Sequence, residues 1–165
     1  MSSGPDDSTH PERDEWPATG PAYRRSEVSA VVGHGEADWA RQCSAILRWE
    51  VKTRSGFAVS DASPVVAGAR LRITARVAGI TVVEPVEVVA VVRRADRVGF
   101  SYRTLPGHPV DGEEAFVLHR SGDVVSLSIR SLTRPAAQQP WRALHPVLRL
   151  AQLVARRRYL RALVA

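Results

Sequence analysis

The chain contains one lysine, Lys52, and one cysteine, Cys43, among its 165 residues. A single cysteine cannot form a disulfide within the chain or a cysteine-based zinc cluster, so neither can stabilise the fold. No apolar run approaches the ~20 residues that a helix needs to cross a bilayer. The polar and acidic first residues also lack the basic and then apolar pattern of a signal peptide. These absences predict a soluble, reduced, cytoplasmic protein.

Short motifs of common enzyme classes are also absent. The sequence has no G-x-S-x-G nucleophile turn and no G-x-x-x-x-G-K phosphate-binding loop. Its histidines are scattered, and no predicted helix carries two of them at the spacing that metal ligands need. We therefore expect no metal site and no cofactor. The histidines that argue against a metal site are His34, His108, His119 and His145.

Positive charge is in excess, with a net charge of +6 and a pI near 10.6, and it comes almost wholly from arginine. This bias is typical of a GC-rich genome as much as of an anionic partner. Arg70, Arg72 and Arg76 lie on the outward face of one predicted strand, and Arg130 lies on that of another. Because no exposed aromatic residues are interleaved with them to stack on bases, a solvated face is favoured over a nucleic-acid surface.

The first residues differ in composition from the rest of the chain. Residues 1–19 mix Ser, Pro, Asp and Glu, and Trp16 is their only candidate anchor. A segment of this kind does not bury enough apolar surface to offset the entropy of ordering. We therefore predict a disordered tail over 1–19 and a single domain over 20–165, a length sufficient for one proper core.

Hydrophobic periodicity divides the rest of the chain into helical and extended parts. Apolar residues from Trp39 to Leu47 recur at helical spacing, which predicts a helix after a short first strand. From Phe57 onward the period becomes two, as in "ARLRITARV" and "DVVSLSIRSL", which predicts antiparallel strands with one apolar face. Pro85 interrupts a long apolar run and predicts a sheet edge or a bulge at that point.

The C-terminal stretch is rich in Ala, Leu and Arg and predicts a long helix that begins near Pro146. The predicted order is strand, helix, a series of antiparallel strands and a long terminal helix, which is an α+β arrangement. We interpret it as the helix-grip fold of START-like and Bet v 1-like proteins. In this fold a curved antiparallel sheet wraps around the long C-terminal helix and encloses a cavity between them.

Family resemblance rests on three stretches: "VVGHGEADWARQCSAILRW", "GFSYRTLPGHPVDGEEAF" and "RRRYLRAL". They resemble the domain of unknown function 1990, also called UPF0548, a family of bacterial and plant proteins. The resemblance covers the chain from about Pro21 to the C-terminus, and the second stretch is its most specific part. Because this family is grouped with START-like helix-grip proteins, the resemblance implies the same fold. It implies no activity, cofactor or catalytic residue.

Two adjacent glutamates mark the candidate site. By strand parity, Glu114 shares the cavity-facing side with Phe116 and Leu118, and Glu113 points outward. A carboxylate at the mouth of an apolar cavity must be paired, neutralised or solvated, because burying it alone is expensive. Glu114 therefore either takes part in function or has a structural role, in which it binds backbone amides or an arginine and fixes the loop.

Three further side chains are expected beside Glu114. Tyr102 and Thr104 lie on the inward face of the neighbouring strand, and His108 lies in the turn between the two strands. An acid–base pair and two hydroxyls suffice for proton transfer or for anchoring the polar head of a ligand. Arg158 lies on the apolar side of the terminal helix, where a guanidinium needs a partner, and Glu114 is the most economical one.

We expect this domain to bind a small, partly hydrophobic molecule between the sheet and the terminal helix. Two alternatives stay open: an enzyme on the same scaffold, with His108 or Glu114 moving protons in a cyclisation, dehydration or isomerisation, and a basic surface module for nucleic acid or anionic lipid. A purely structural hairpin also stays open. The candidate ligand-binding residues are Tyr102, Thr104, His108, Glu113, Glu114 and Arg158.

Overall fold

A computed structural model describes residues 7–77 and 79–164. Its elements, in chain order, are β1 (Arg24–His34), α1 (Gly35–Ile46), α2 (Glu50–Thr53), β2 (Ala58–Val59), β3 (Arg70–Val77), β4 (Ile80–Arg93), β5 (Arg97–Thr104), β6 (Val110–Ser121), β7 (Val124–Pro135) and α3 (His145–Ala162). The described strands form one antiparallel sheet in the order β1-β7-β6-β5-β4-β3-β2. This arrangement of a curved sheet and a C-terminal helix confirms the predicted α+β helix-grip fold.

One face of the sheet carries the core. The inward side chains follow the predicted alternation, since Ile73, Phe100, Phe116 and Leu127 are all fully buried. The rings of Phe100 and Phe116, which are directly opposite each other on β5 and β6, lie 5.8 Å apart. Removal of this apolar surface from water is the main driving force that holds the layers together.

Helices α1 and α2 cover one end of this face. Trp39 and Ile46 of α1 are buried against it. Trp49 lies between the two helices and packs edge-on against Phe100, with ring centroids 4.7 Å apart. The turn that places Trp49 there needs a left-handed backbone, with φ 65°, which a bulky residue adopts only when surrounding contacts enforce it.

Helix α3 covers only part of the remaining face. It begins at His145 with Pro146 in its first turn, as predicted, because a residue there needs no backbone N–H. Tyr159 is its one buried side chain, and the helix therefore rests on the sheet through its last turns. The space between the sheet and α3 stays open from Val147 to Tyr159 and forms a cavity. Within residues 7–77 and 79–164, no helix is long and apolar enough to cross a membrane.

The expectation of an edge at Pro85 is confirmed locally, because β4 pairs with β5 only from Val86 onward and Pro85 has a strand partner on the β3 side alone. Strand β4 lies between β3 and β5, and Pro85 pairs with Arg72 without a break in register. Its carbonyl accepts a hydrogen bond, 2.9 Å long, from the N–H of Leu105, just beyond the end of β5. The nitrogen and carbonyl of one residue point to the same side of an antiparallel strand. The missing N–H of proline therefore faces a side where β5 has ended, and β3 loses no donor.

The expectation of a disordered tail is corrected for residues 7–19, which lie against the outer face of the sheet. Arg130 of β7 is 2% exposed, and its guanidinium donates to the carbonyls of His10, Arg13 and Asp14 over 2.7, 2.9 and 2.8 Å. Trp16 is buried as well. Residues 1–6 lie outside the described residues, and a domain boundary at residue 20 stays a prediction.

Polar contacts order this N-terminal segment in addition to the burial of Trp16. Arg97 of β5 donates to the carbonyls of Pro11 and Arg13 over 2.6 and 2.7 Å. Each carbonyl bound to a buried guanidinium gains a charge-assisted hydrogen bond, a contribution that composition does not reveal. Arg130 consequently does not belong to an exposed basic patch with Arg70, Arg72 and Arg76, as its strand parity had suggested.

Candidate ligand-binding site

The cavity between the sheet and α3 has a volume of about 490 Å³. Its apolar walls include Ala75 and Val82 on the sheet, and Leu148, Ala151 and Ala155 on α3. This size and lining are typical of small-molecule sites. Polar side chains of the lining lie on α2, on strands β3 to β7, on α3 and in the turn before β6.

Lys52 of α2 is the central charge of the site and was not recognised from the sequence. Its side chain is 2% exposed, and Nζ donates to the hydroxyl of Tyr159 over 2.7 Å. The same nitrogen lies 3.5 Å from Oε2 of Glu114. Four aromatic rings surround it at 4.5 to 5.3 Å from their centroids, so cation–π attraction replaces part of its lost hydration. Those rings belong to Phe57, Tyr102, Phe116 and Tyr159.

Glu114 lies in the cavity wall opposite Tyr102. The two residues pair directly across β5 and β6, and the Tyr102 hydroxyl donates to Oε2 of Glu114 over 2.6 Å. Burial, and next the charge of Glu114, raise the pKa of Tyr102 well above its usual value. Burial and the same carboxylate also raise the pKa of Tyr159. Both hydroxyls therefore keep their protons, and Glu114 is held by a hydroxyl and an ammonium together.

Glu84 of β4 is a second carboxyl group in the cavity wall, and sequence analysis missed it too. Burial raises its pKa, the nearby Lys52 lowers it, and the charge of Glu114 raises it further. Among the described residues no side chain or backbone group donates a hydrogen bond to the carboxyl group of Glu84. A half-buried carboxyl group without a protein donor must be protonated, solvated or in contact with a bound molecule.

His108 lies in the turn between β5 and β6 and faces the same cavity. Its Nδ1 accepts a hydrogen bond from the N–H of Val110 over 2.9 Å. Burial, and then the charge of Lys52, lower the pKa of His108 to about 3. With Nδ1 occupied as an acceptor, the proton of the neutral ring lies on Nε2. His108 is therefore suited to donate a hydrogen bond at neutral pH and is poorly suited to exchange protons.

The structure brings the six candidate residues of the sequence to the cavity lining, but in different roles. Thr104 accepts a hydrogen bond from the N–H of Gly112 over 3.0 Å, which fixes the entry to β6. Glu113 points its carboxylate outward, as its parity predicted, and accepts hydrogen bonds from the N–H and hydroxyl of Thr9. Its side chain holds the N-terminal segment to the sheet.

The expected pair of Arg158 with Glu114 is not formed. Neighbouring residues on a helix point ~100° apart, so when Tyr159 is buried, Arg158 is turned to the margin. Its side chain is exposed and approaches Gly56 in the loop after α2. The partner of Glu114 is instead Lys52 of α2, whose Nζ lies 3.5 Å from Oε2. The only signal for this in the sequence was that a chain dominated by arginine keeps a single lysine.

We predict that His108 makes the unfolding free energy of the protein depend on pH in the acid range. Between pH 6.5, the ordinary pKa of histidine, and about 3, the unfolded chain binds a proton at residue 108 that the folded chain does not. Folding stability contributed by the neutral ring is therefore complete above pH 6.5 and is lost as pH falls through that window.

The variant His108→Asn tests this dependence, because it keeps an acceptor for the N–H of Val110 and removes the titrating group. We expect its urea unfolding free energy to fall less steeply with acid, by up to ~1.4 kcal/mol per pH unit. Parallel curves for the two proteins between pH 7 and 4 contradict this account.

A sheet wrapped on a long C-terminal helix, with a cavity between them, defines a helix-grip protein. Known structures share this architecture. A hypothetical protein from Helicobacter pylori superposes with a TM-score of 0.61 at 13% identity, over 86% of this chain and 85% of that chain. A protein from Mycobacterium smegmatis gives 0.58 at 12% identity, over 84% and 87%. At these identities the likeness shows the fold alone.

Sequence comparison identifies the family within this class. The model of the family described as Domain of unknown function (DUF1990) matches residues 7–162, and the chain belongs to that family. The chain is also 42% identical over 78 residues to a UPF0548 protein from Deinococcus radiodurans. That match spans 47% of this chain and 39% of the relative's length. The family match begins at residue 7, so it includes the N-terminal segment that contacts the sheet.

Proposed function

We propose that this protein binds a small, partly hydrophobic molecule in the cavity, with the polar group of the ligand beside Glu84, Glu114 and His108. The observation that carries the proposal is the convergence of these polar groups at an apolar cavity of about 490 Å³. Contacts with Tyr102 and Lys52 are sufficient to explain why Glu114 lies in the wall, whereas the carboxyl group of Glu84 has no hydrogen-bond donor among the described residues. The location proposed is the cytoplasm, where the single cysteine, Cys43, stays a thiol.

The unpaired hydrogen-bond acceptors and donor of the site indicate which polar group of a ligand complements it. Glu84 offers acceptor oxygens, and the neutral His108 offers an Nε2–H donor. The turn that carries His108 packs beside Pro85, next to Glu84 in the chain, through the hydrogen bond from Leu105. A neutral hydroxyl, phenol or amide both donates and accepts, so it complements an acceptor such as Glu84 and a donor such as His108.

One observation favours acid–base catalysis as a second function. Burial raises the pKa of Glu84, and carboxyl groups perturbed in this direction are common among catalytic acids. His108 is a weaker candidate than sequence analysis suggested, because its lowered pKa keeps it neutral. If Glu84 is a catalytic acid, the wild type converts the bound molecule, whereas the Glu84→Gln variant binds it without conversion. If the protein only binds the molecule, neither the wild type nor the variant converts it.

The test is native mass spectrometry of protein purified from its own host, followed by extraction under denaturing conditions. Ala151→Trp fills the cavity from α3, and Ala40→Trp on the exposed side of α1 is the matched control. We expect a stoichiometric small molecule in the wild type and in Ala40→Trp, and at least a tenfold loss in Ala151→Trp. Equal occupancy in both variants, or no bound molecule in any of them, contradicts the proposal.

A further inference from the structure

Large exposed apolar residues surround the mouth of the cavity on two sides. On α3, Val147, Leu150 and Val154 line the cavity, yet they are 59%, 64% and 44% exposed. On the opposite side, Val77 lines the cavity and is 39% exposed, and Ile80 is 66% exposed. Val77 and Ile80 pair directly at the tip of the β3–β4 hairpin, so their side chains share one face. We call these five residues the rim.

Arginines surround the rim. Residues 136–164 include six arginines and no Asp or Glu. Arg157, Arg158 and Arg161 of α3 are all exposed, as is Arg76 beside Val77. Within the described part of the chain, none of these four forms an ion pair. Their charge is therefore available to an external anion.

This combination identifies the chemistry of the partner. Contiguous exposed apolar surface on a soluble protein marks an interaction site. A nucleic acid would use the arginines but would gain nothing from aliphatic side chains. Exposed apolar residues on a helix that carries arginines and no acidic residue are typical of elements that lie in the surface of an anionic bilayer, where arginine stems bury and guanidinium groups reach the phosphates.

We propose that the rim docks on a negatively charged membrane surface. Val147, Leu150, Val154, Val77 and Ile80 enter the boundary between headgroups and acyl chains, and the arginines bind lipid phosphates. Docking requires no rearrangement of the core, because Tyr159 holds the last turns of α3 to the sheet. The proposal needs only the rim and is independent of whether the cavity holds a ligand.

The test is co-sedimentation with vesicles of phosphatidylcholine and phosphatidylglycerol at 3:1, compared with phosphatidylcholine alone. We expect binding to the anionic vesicles, loss of that binding in high salt, and little binding to neutral vesicles. Leu150→Glu should weaken binding at least tenfold. Val66→Glu is the matched control, since Val66 is 63% exposed but lies away from the mouth, and it should bind like the wild type. Arg157→Gln should weaken binding about fivefold.

Two further measurements separate the alternatives. Ala151→Trp blocks the cavity but leaves the rim, so it should bind anionic vesicles normally even if ligand binding fails. Equal binding to neutral and anionic vesicles, or an unchanged Leu150→Glu variant, overturns the proposal. Light scattering that shows a wild-type dimer and a Leu150→Glu monomer also overturns it, because a second copy of the chain then covers the rim.

Discussion

Replacement of Lys52 by methionine is expected to lower the unfolding free energy by about 3–5 kcal/mol. The ammonium group is buried among aromatic rings, donates to Tyr159 and lies 3.5 Å from Glu114. Methionine fills a similar volume but leaves two carboxyl groups, Glu84 and Glu114, in the cavity wall without their cation. The loss should therefore come from the uncompensated carboxylates rather than from a packing defect. Urea unfolding at pH 7 measures it directly.

A double variant distinguishes these two causes. Lys52→Met combined with Glu114→Gln removes both charges of the pair, and an amide still accepts from the Tyr102 hydroxyl. We expect Glu114→Gln alone to lower the stability and the double variant to be more stable than Lys52→Met alone by at least ~1 kcal/mol, which together show a direct coupling. If the two substitutions simply add, the charge pair contributes little, and the aromatic contacts of Lys52 are what stabilise the fold.

The second large effect is expected at Arg130, on the other face of the sheet. Arg130→Met removes the hydrogen bonds to the carbonyl groups of Thr9, His10, Arg13 and Asp14, of which that of Arg13 keeps a second donor, Arg97. It also leaves Glu27, 2.8 Å from the guanidinium, without its partner. We expect a loss of about 3 kcal/mol or more and detachment of residues 7–19. Limited trypsin digestion measures the detachment, since Arg13 lies in this segment and becomes a cleavage site.

Arg134→Met is the matched control for this experiment. Arg134 lies on the same strand, is 47% exposed and pairs with Asp111 at the surface. Exposed pairs contribute little, so the control should stay within ~0.5 kcal/mol of the wild type and resist trypsin at Arg13. Rapid cleavage at Arg13 in the wild type would show instead that the segment detaches without help.

Local patterns predicted the residues whose environment depends on their own strand. Alternation along β5 and β6 placed Tyr102 and Glu114 on the inward face and Glu113 on the outward face, because a strand has a fixed period of two. The position of Pro146 also predicted the start of α3, because proline is tolerated in the first turn of a helix. Contacts between distant segments determined what local patterns could not predict. Lys52 lies in the short helix α2, which is too brief to show a period, and its burial depends on Tyr159, 107 residues away.

Glu84 and the N-terminal segment were missed for related reasons. Pro85 suggested a break in the strand, so the parity of Glu84 was not assigned. The N-terminal segment has the composition of a disordered tail, yet two buried guanidinium groups on the sheet bind its carbonyls. Composition counts apolar area, but it does not reveal a distant arginine whose donors complement a segment of backbone.

The burial of Lys52 also determines how the protein reacts with labelling reagents. Amine-directed dyes and cross-linkers find no lysine at the surface, because the only one in the chain is 2% exposed. The single thiol is no better a target, since burial raises the pKa of Cys43 to about 11 and keeps it protonated. An acylating reagent that modifies Lys52 must therefore enter the cavity, and its rate reports how often the interior opens rather than how the surface is exposed.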